Sequence, residues 1–175
     1  YLGSIRLVND VKQLIDAARV LKDDDRFSFL IYGNGNDKPV LQKYVRENHI
    51  DNVIFKNDRI PYHYVPYVVS QASLNVMNYR KGFGIYGASS GKMFQYLAAG
   101  KPIVCNIKLN YSDIERHNLG VAADLDAPEK YANVIRGIAN LPEEEYEAMC
   151  ARNKEIAKEF DYDVLSKKLL EVIER

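Results

Sequence analysis

The feature that most constrains the fold is a regular alternation of short apolar segments with amphipathic segments. Residues 27–32 (FSFLIY) are apolar, aromatic or β-branched and end at Gly33, which is typical of a buried parallel strand followed by a tight turn. Residues 10–21 place apolar side chains at helical spacing, with Asp10 at the N-cap position. This alternation predicts parallel strands joined by helices that cover both faces of a sheet.

The same alternation continues to residue 139. After a strand-like run at Tyr1, further strands are predicted at residues 52–55, 74–77, 102–105 and 120–123. Helices are predicted around Leu41, Tyr44 and Val45 and at residues 64–70, 92–99, 111–117 and 127–139. From Pro142 onward the pattern is helical with a break at 161–163, so extra C-terminal helices are expected outside the sheet. The fold class is therefore α/β, a doubly wound, Rossmann-like parallel sheet in one domain over residues 1–175.

Composition excludes several classes of protein. The 24 Lys+Arg balance 24 Asp+Glu, whereas a nucleic-acid-binding protein normally carries a clustered basic excess. Cys105 and Cys150 lie far apart without metal-ligand spacing, which predicts neither a disulfide framework nor a metal site. No apolar run approaches the roughly 20 residues that span a bilayer, and no signal-peptide pattern is present. We expect a cytoplasmic domain cut from a longer protein, without nucleic acid as a partner.

The loop at residues 82–92 (GFGIYGASSGK) is the most informative one, since it follows a predicted strand and leads into a helix. It is not a Walker A loop, because Gly87 and Gly91 enclose three residues and Met93 replaces the required Ser or Thr. Open N–H groups at a helix N-terminus, serine hydroxyls and the Lys92 ammonium favour a phosphate. The alternative is that Ser89 or Ser90 caps the helix and Lys92 is solvated.

A second glycine motif, Gly33-Asn34-Gly35, also follows a predicted strand and precedes a helix. The third glycine of a dinucleotide fingerprint would fall on Lys38, so the motif alone is a weak signal. A turn that needs positive φ explains these glycines, and close approach of a ligand is the alternative.

Residues 92–104 (KMFQYLAAGKPIV), together with YLGSIR at the start, resemble the C-terminal half of a retaining GT-B glycosyltransferase. The resemblance is to the large nucleotide-sugar-dependent family, glycosyl transferases group 1, and extends over nearly the whole chain. It implies a donor-binding domain, with an N-terminal acceptor domain that is absent from this chain as its partner. It also implies hexosyl transfer from a nucleoside diphosphate sugar in bacterial polysaccharide or glycolipid synthesis, without a cofactor. Membrane contact of the full-length protein is not signalled here.

The resemblance assigns roles only where positions match. Arg6 falls where an arginine approaches the donor diphosphate, and the lysine that usually follows is missing, so Arg6 and Lys92 are the expected catalytic residues. Residues 56–60 match the base-recognition loop, with Ile60 as an apolar platform. The expected substrate-binding residues are Asn57, Arg59, Ile60, Gly87, Ala88, Ser89, Ser90, Gly91 and Gln95.

The departure from the family concerns its paired glutamates, whose positions fall on Gly87 and Gln95. Gln95 can still hydrogen-bond ribose hydroxyls without charge assistance, and the hexose contact then falls to the backbone of residues 84–90 or to Ser89. Catalysis is expected to be electrostatic and metal-free, because the acidic run at residues 23–25 lies at the wrong end of a strand. Two alternatives are a degenerate nucleotide-binding or scaffold domain and a GT-B-like epimerase. The isolated domain is expected to be inactive in transfer.

Overall fold

The computed structural model describes residues 1–56, 58–82 and 90–174. Within these ranges, five β-strands and eight α-helices alternate in the predicted order. The strands are β1 (Phe29–Ile31), β2 (Val53–Phe55), β3 (Asn75–Met77), β4 (Ile103–Cys105) and β5 (Gly120–Ala122). The helices are α1 (Val11–Val20), α2 (Lys38–Glu47), α3 (Val65–Ser70), α4 (Gly91–Ala99), α5 (Asp113–Arg116), α6 (Pro128–Ala139), α7 (Glu143–Glu159) and α8 (Tyr162–Ile173).

All strand pairs are parallel. β1 pairs with β2, and β3, β4 and β5 form a three-stranded sheet in that order. The strand-like run predicted at Tyr1 is only partly correct, because it is reduced to one parallel bridge between Leu2 and Tyr32 and leads to a 3₁₀ turn at Leu7–Asn9. Beyond that bridge, the N–H group of Ile5 donates to the turn carbonyl of Asn34 rather than to a strand.

Successive residues of each strand in the three-stranded sheet point to opposite faces, and helices cover both faces. Val76 and Val104 pack with residues of α1 and α6 in one buried cluster. Met77 and Cys105 pack with residues of α3, α4 and α5 in another. A third cluster joins α1 and α2 to β1 and β2. The doubly wound arrangement is confirmed.

The C-terminal helices lie outside the sheet, as predicted. α7 packs on α4, and the αL residue Gly100 (φ +63°) ends α4 where a Cβ would come 2.4 Å from the Cε of Lys154. Asp161 begins α8 and accepts a hydrogen bond from the Asp163 N–H group, which explains the break between the two helices. In the described ranges, no helix combines the length and the hydropathy needed to cross a membrane.

Candidate functional site

A small cavity lies at the carboxyl ends of β1 and β2, the edge where open α/β sheets bind ligands. Its volume is about 300 Å³, and we call it the loop pocket. Three segments form it: the N-terminal loop, the turn after β1 and the loop after β2. The lining residues are Leu2, Gly3, Ser4, Tyr32, Gly33, Asn34, Asp58, Arg59, Ile60 and Val65. The structure therefore brings the predicted base-binding residues Arg59 and Ile60 together with the glycine turn.

Gly33 is required by two features of this turn. Its φ is +130°, which L side chains rarely adopt, and an added Cβ would lie 1.8 Å from the carbonyl oxygen of Gly3. The N-terminal loop thus packs directly on the turn backbone. The conformational explanation of this glycine is confirmed, and the same turn also lines the loop pocket.

Lys38 links two of the segments that form the loop pocket. Its side chain is 8% exposed, and its ammonium donates to the carbonyl oxygens of Gly33 (2.9 Å) and Lys56 (3.2 Å) and forms an ion pair with Asp58. Asn34 adds a hydrogen bond from Nδ2 to the Asp58 carboxylate, 3.1 Å long. The turn after β1 and the loop after β2 are therefore held together by one buried cation.

Sequence reasoning missed this role of Lys38. It considered the position only as the place where a third glycine is absent. The usable signal was a basic residue at the first position of a helix, where the dipole favours acidic side chains. Such a residue needs acceptors from elsewhere in the fold, and here two loops supply them.

Lys92, in the first turn of α4, reaches the N-terminal loop. Its Nζ lies 4.6 Å from the centroid of the Tyr1 ring and 3.4 Å from the Tyr1 hydroxyl. A Cβ on Gly3 would come within 2.8 Å of this Nζ, so the ammonium lies beside the Gly3 backbone that lines the loop pocket. The interpretation of Lys92 as a solvated lysine is wrong. Burial lowers the pKa of its ammonium to about 8 because desolvation disfavours the charged form.

The start of α4 is not capped by Ser90. Ser90 occupies the N-cap position with extended backbone, but its side chain makes no capping hydrogen bond. Within the described residues, nothing lies within 4 Å of the Cβ position of Gly91. The capping interpretation is therefore wrong for Ser90. The first turn of α4, which carries Lys92, therefore receives no capping hydrogen bond from the Ser90 side chain.

The other predicted residues divide into two groups. Arg6 is exposed on the loop that Lys92 reaches, and its guanidinium has no hydrogen bond or ion pair with the described residues. Gln95 is half-buried and lies three positions after Lys92, on the same side of α4. The remaining predicted positions, Asn57, Gly87, Ala88 and Ser89, lie outside the described residues.

Neutral amides support the loops after β3 and β4. Asn106 accepts from the Tyr79 N–H (2.7 Å) and donates to the Tyr79 carbonyl (2.8 Å) and to Gln13. Asn78 accepts from the buried Tyr131 hydroxyl at 2.7 Å. Sequence reasoning missed these residues, although each asparagine directly follows a fully buried strand.

Metal-ligating residues do not cluster in the part of the chain that the structure describes. Within residues 1–56, 58–82 and 90–174, no group of three His, Cys, Asp or Glu side chains is placed to hold a metal ion. Cys105, buried, and Cys150, partly exposed, are free cysteines. The polar groups at the site include the Lys38 and Lys92 ammonium groups, the Asn34 amide, backbone carbonyls and the Asp58 carboxylate, which is paired with Lys38.

A doubly wound sheet with this site belongs to the class of Rossmann-like domains, and solved structures of GT-B glycosyltransferases share its fold. The chain is similar to the pneumococcal O-GlcNAc transferase GtfA in complex with UDP and GlcNAc (TM-score 0.73, 18% identity, 98% of this chain and 34% of that one). It is similar to WaaG, a glycosyltransferase involved in lipopolysaccharide biosynthesis (0.74, 19%, 98% and 45%). It is also similar to Anabaena Alr3699/HepE in complex with UDP (0.77, 13%, 99% and 47%).

The family model described as Glycosyl transferases group 1 matches residues 1–159, and the chain belongs to this family. The chain spans between a third and a half of the length of the three solved structures named above. No curated protein sequence matches the chain significantly.

Proposed function

We propose that this chain is the donor-binding domain of a glycosyltransferase that uses a nucleoside diphosphate sugar. The observation that carries the proposal is the loop pocket with Lys92 beside it, at the ligand-binding edge of the sheet, in a chain of this family. The solved structures of GtfA and HepE contain UDP, which supports a nucleotide donor.

In this proposal the loop pocket holds the nucleobase. Ile60 is half-buried and packs against the core on one side, so it offers a fixed apolar surface to a planar ring. Arg59, which lines the pocket, and Asn57, which lies outside the described residues, are the other proposed contacts of the base. Because Lys38 binds the carbonyl of Lys56 and the carboxylate of Asp58 in this loop, the pocket is formed before the nucleotide binds.

The diphosphate lies next to the pocket, against Arg6, Lys92 and the first turn of α4. The Arg6 guanidinium offers several N–H donors in a fixed plane. Among the described residues it has no hydrogen bond or ion pair that must break before it binds a phosphate. The positive end of α4 at Ser90 and Gly91 adds to the two cations. Gln95 is the proposed hydrogen-bond partner of the ribose, and Gly87, Ala88 and Ser89, which lie outside the described residues, are the proposed contacts of the sugar ring.

The proposed reaction replaces the diphosphate at the anomeric carbon by an acceptor oxygen, with retention of configuration. The bond from the anomeric carbon to the diphosphate breaks, and negative charge develops on the leaving oxygen. Arg6, Lys92 and the helix dipole stabilise that charge without a metal or another cofactor. The acceptor binds to an N-terminal domain, so the 175-residue chain alone is expected to be inactive in transfer. WaaG acts in lipopolysaccharide biosynthesis, which supports a bacterial polysaccharide or glycolipid as the product.

A second candidate function is a scaffold domain that has lost activity. Gly87 and Gln95 favour it, because both stand where the resemblance places glutamates. The two candidates differ in nucleotide binding. A donor domain binds nucleotide through Arg6 and Lys92, whereas a scaffold domain does not need to bind nucleotide through these residues.

Calorimetric titration with UDP, GDP and their sugar conjugates separates the candidates. We expect saturable binding that is lost in Arg6→Ala and in Lys92→Ala. Arg19→Ala and Lys101→Ala are matched controls. Arg19 lies in the last turn of α1 and Lys101 lies between α4 and β4, both toward the amino ends of the strands, so these variants should bind as the parent does. A folded domain that binds none of these ligands at millimolar concentration would contradict the donor proposal and support the scaffold.

A further inference from the structure

Among the described residues, the loop pocket contains one acidic side chain, and its position bears on which nucleobase binds there. Asp58 lines the pocket together with Ile60, the proposed platform for the base. The Asp58 side chain is 60% exposed, so its carboxylate is open to a ligand. At about 300 Å³ the pocket admits either a purine or a pyrimidine, so the polar groups of its wall must select the base.

The Asp58 carboxylate is held in a fixed orientation. One oxygen, Oδ1, accepts from the buried Lys38 ammonium, and the other, Oδ2, accepts from Nδ2 of Asn34 at 3.1 Å. These donors belong to two other segments of the chain, the start of α2 and the turn after β1. A carboxylate has about four lone pairs, so each oxygen retains about one for a further donor. Asp58 thus presents two adjacent acceptors to the pocket.

Two adjacent acceptors match one of the common nucleobases. On its Watson–Crick edge, guanine places the N1–H and N2–H donors side by side, so a carboxylate accepts from both at once. Uracil has a single N–H between two carbonyl oxygens on this edge. In adenine and cytosine the amino group lies next to a ring nitrogen with a lone pair. Each of these three bases would therefore place an acceptor against a carboxylate oxygen, which is unfavourable.

Arg59, the other charged residue that lines the pocket, does not distinguish the bases. A guanidinium only donates, and both O6 of guanine and O4 of uracil are acceptors. Ile60 and Val65 line the pocket with apolar groups, which any planar ring can contact. Among the described residues, the choice between guanine and uracil therefore depends on Asp58.

We propose that Asp58 makes the loop pocket selective for guanine, so that the donor of this chain is a guanosine diphosphate sugar. The inference rests on the proposed donor-binding function and adds the identity of the base. The carboxylate accepts from N1–H and N2–H of guanine, while Lys38 and Asn34 keep it in place. GtfA and HepE, whose structures contain UDP, are 18% and 13% identical to this chain, and identity this low shows a shared fold rather than a shared base.

Calorimetric titration of the 175-residue chain with GDP, IDP and UDP tests the selectivity without a substitution. The base of IDP is hypoxanthine, which keeps the N1–H and O6 of guanine and lacks its N2 amino group. We expect GDP to bind at least about tenfold more tightly than either IDP or UDP, because each of these loses a hydrogen bond to a charged acceptor.

Asp58→Asn removes the charge and one acceptor at nearly constant shape. We expect it to weaken GDP binding by at least about tenfold and UDP binding by less than about threefold, so that the preference for GDP is lost. Asp37→Asn is the matched control, because Asp37 lies directly before α2 without lining the pocket. This control should keep the preference of the parent chain.

A preference for GDP in the parent and in Asp37→Asn that disappears in Asp58→Asn supports the proposal. Binding of UDP or IDP as tight as that of GDP would overturn it and leave the donor-binding function standing. Equal weakening of GDP and UDP in Asp58→Asn would also overturn it, because Asp58 would then only support the pocket. A folded chain that binds none of the three nucleotides would contradict the donor-binding function itself, and with it this inference.

Discussion

Lys92 should make nucleotide binding depend on pH. Its pKa is lowered to about 8, so the ammonium is mostly protonated at pH 7 and mostly neutral at pH 9. For this pKa, the protonated fraction falls from about 0.9 to about 0.1 between those values, which is about tenfold or about 1.4 kcal/mol. Because the proposed site binds diphosphate through the protonated form, the Kd for UDP should rise by about tenfold from pH 7 to pH 9.

The assay is calorimetric titration of UDP at pH 7, 8 and 9, repeated for Lys92→Arg. A guanidinium stays charged across this range, so the variant should lose the steep pH dependence that Lys92 causes. Lys101→Arg is the matched control, since it makes the same replacement at the other end of α4 and should keep the parent profile. Titration in two buffers of different ionisation enthalpy counts the protons taken up on binding.

Stability should change in the opposite direction over the same range. The folded pKa lies below the ordinary value of 10.5, so between about pH 8 and pH 10.5 the unfolded chain binds more protons at Lys92. The contribution of Lys92 to the free energy of unfolding therefore becomes more favourable as pH rises. Weaker binding at pH 9 is thus not explained by partial unfolding at this residue. Identical pH profiles of Kd for the parent and Lys92→Arg would refute the reasoning.

Three further predictions concern stability, measured by urea unfolding. Gly33→Ala should lower the free energy of unfolding by more than about 2 kcal/mol, because the residue has positive φ and its Cβ would meet the Gly3 backbone. Gly137→Ala is the control: it changes an exposed helical position where the added Cβ meets no described atom, and should raise the free energy of unfolding by about 0.5–1 kcal/mol. Similar effects of the two substitutions would contradict the packing of the turn. Lys38→Met should cost about 2–4 kcal/mol because two carbonyls and Asp58 lose their donor, and an unchanged midpoint would exclude this role. Tyr131→Phe should cost about 1–2 kcal/mol through the unpaired Asn78 oxygen, and a smaller loss would show that water replaces the hydroxyl.

The order of strands and helices follows from local patterns, which is why sequence reasoning could predict it. A buried strand such as β4 is apolar throughout, and a helix such as α1 repeats its apolar residues every three or four positions. The observed strands are shorter than predicted because pairing stops where the chain turns toward a loop. The run at Tyr1 shows this most clearly, since its pairing is reduced to one isolated bridge between Leu2 and Tyr32, just after β1.

The site was less predictable because its contacts join distant segments. The resemblance indicated Lys92, but its position beside Gly3 and its lowered pKa depend on residues about 90 positions away. Lys38 depends likewise on the loop after β2, and its own helix gives no favourable reason for a lysine there. Burial and partner choice at such residues are properties of the fold rather than of a local pattern.

The amide side chains that follow β3 and β4 affect how the site responds to pH. Asn78, Asn106 and Gln13 carry no proton that is gained or lost at any pH at which a protein stays folded. A carboxylate in the same place would repel a bound diphosphate and would change its charge in acid. With amides, a chain of zero net charge still presents cations to an anion, and the scaffold beneath them keeps the same hydrogen bonds in acid and in base.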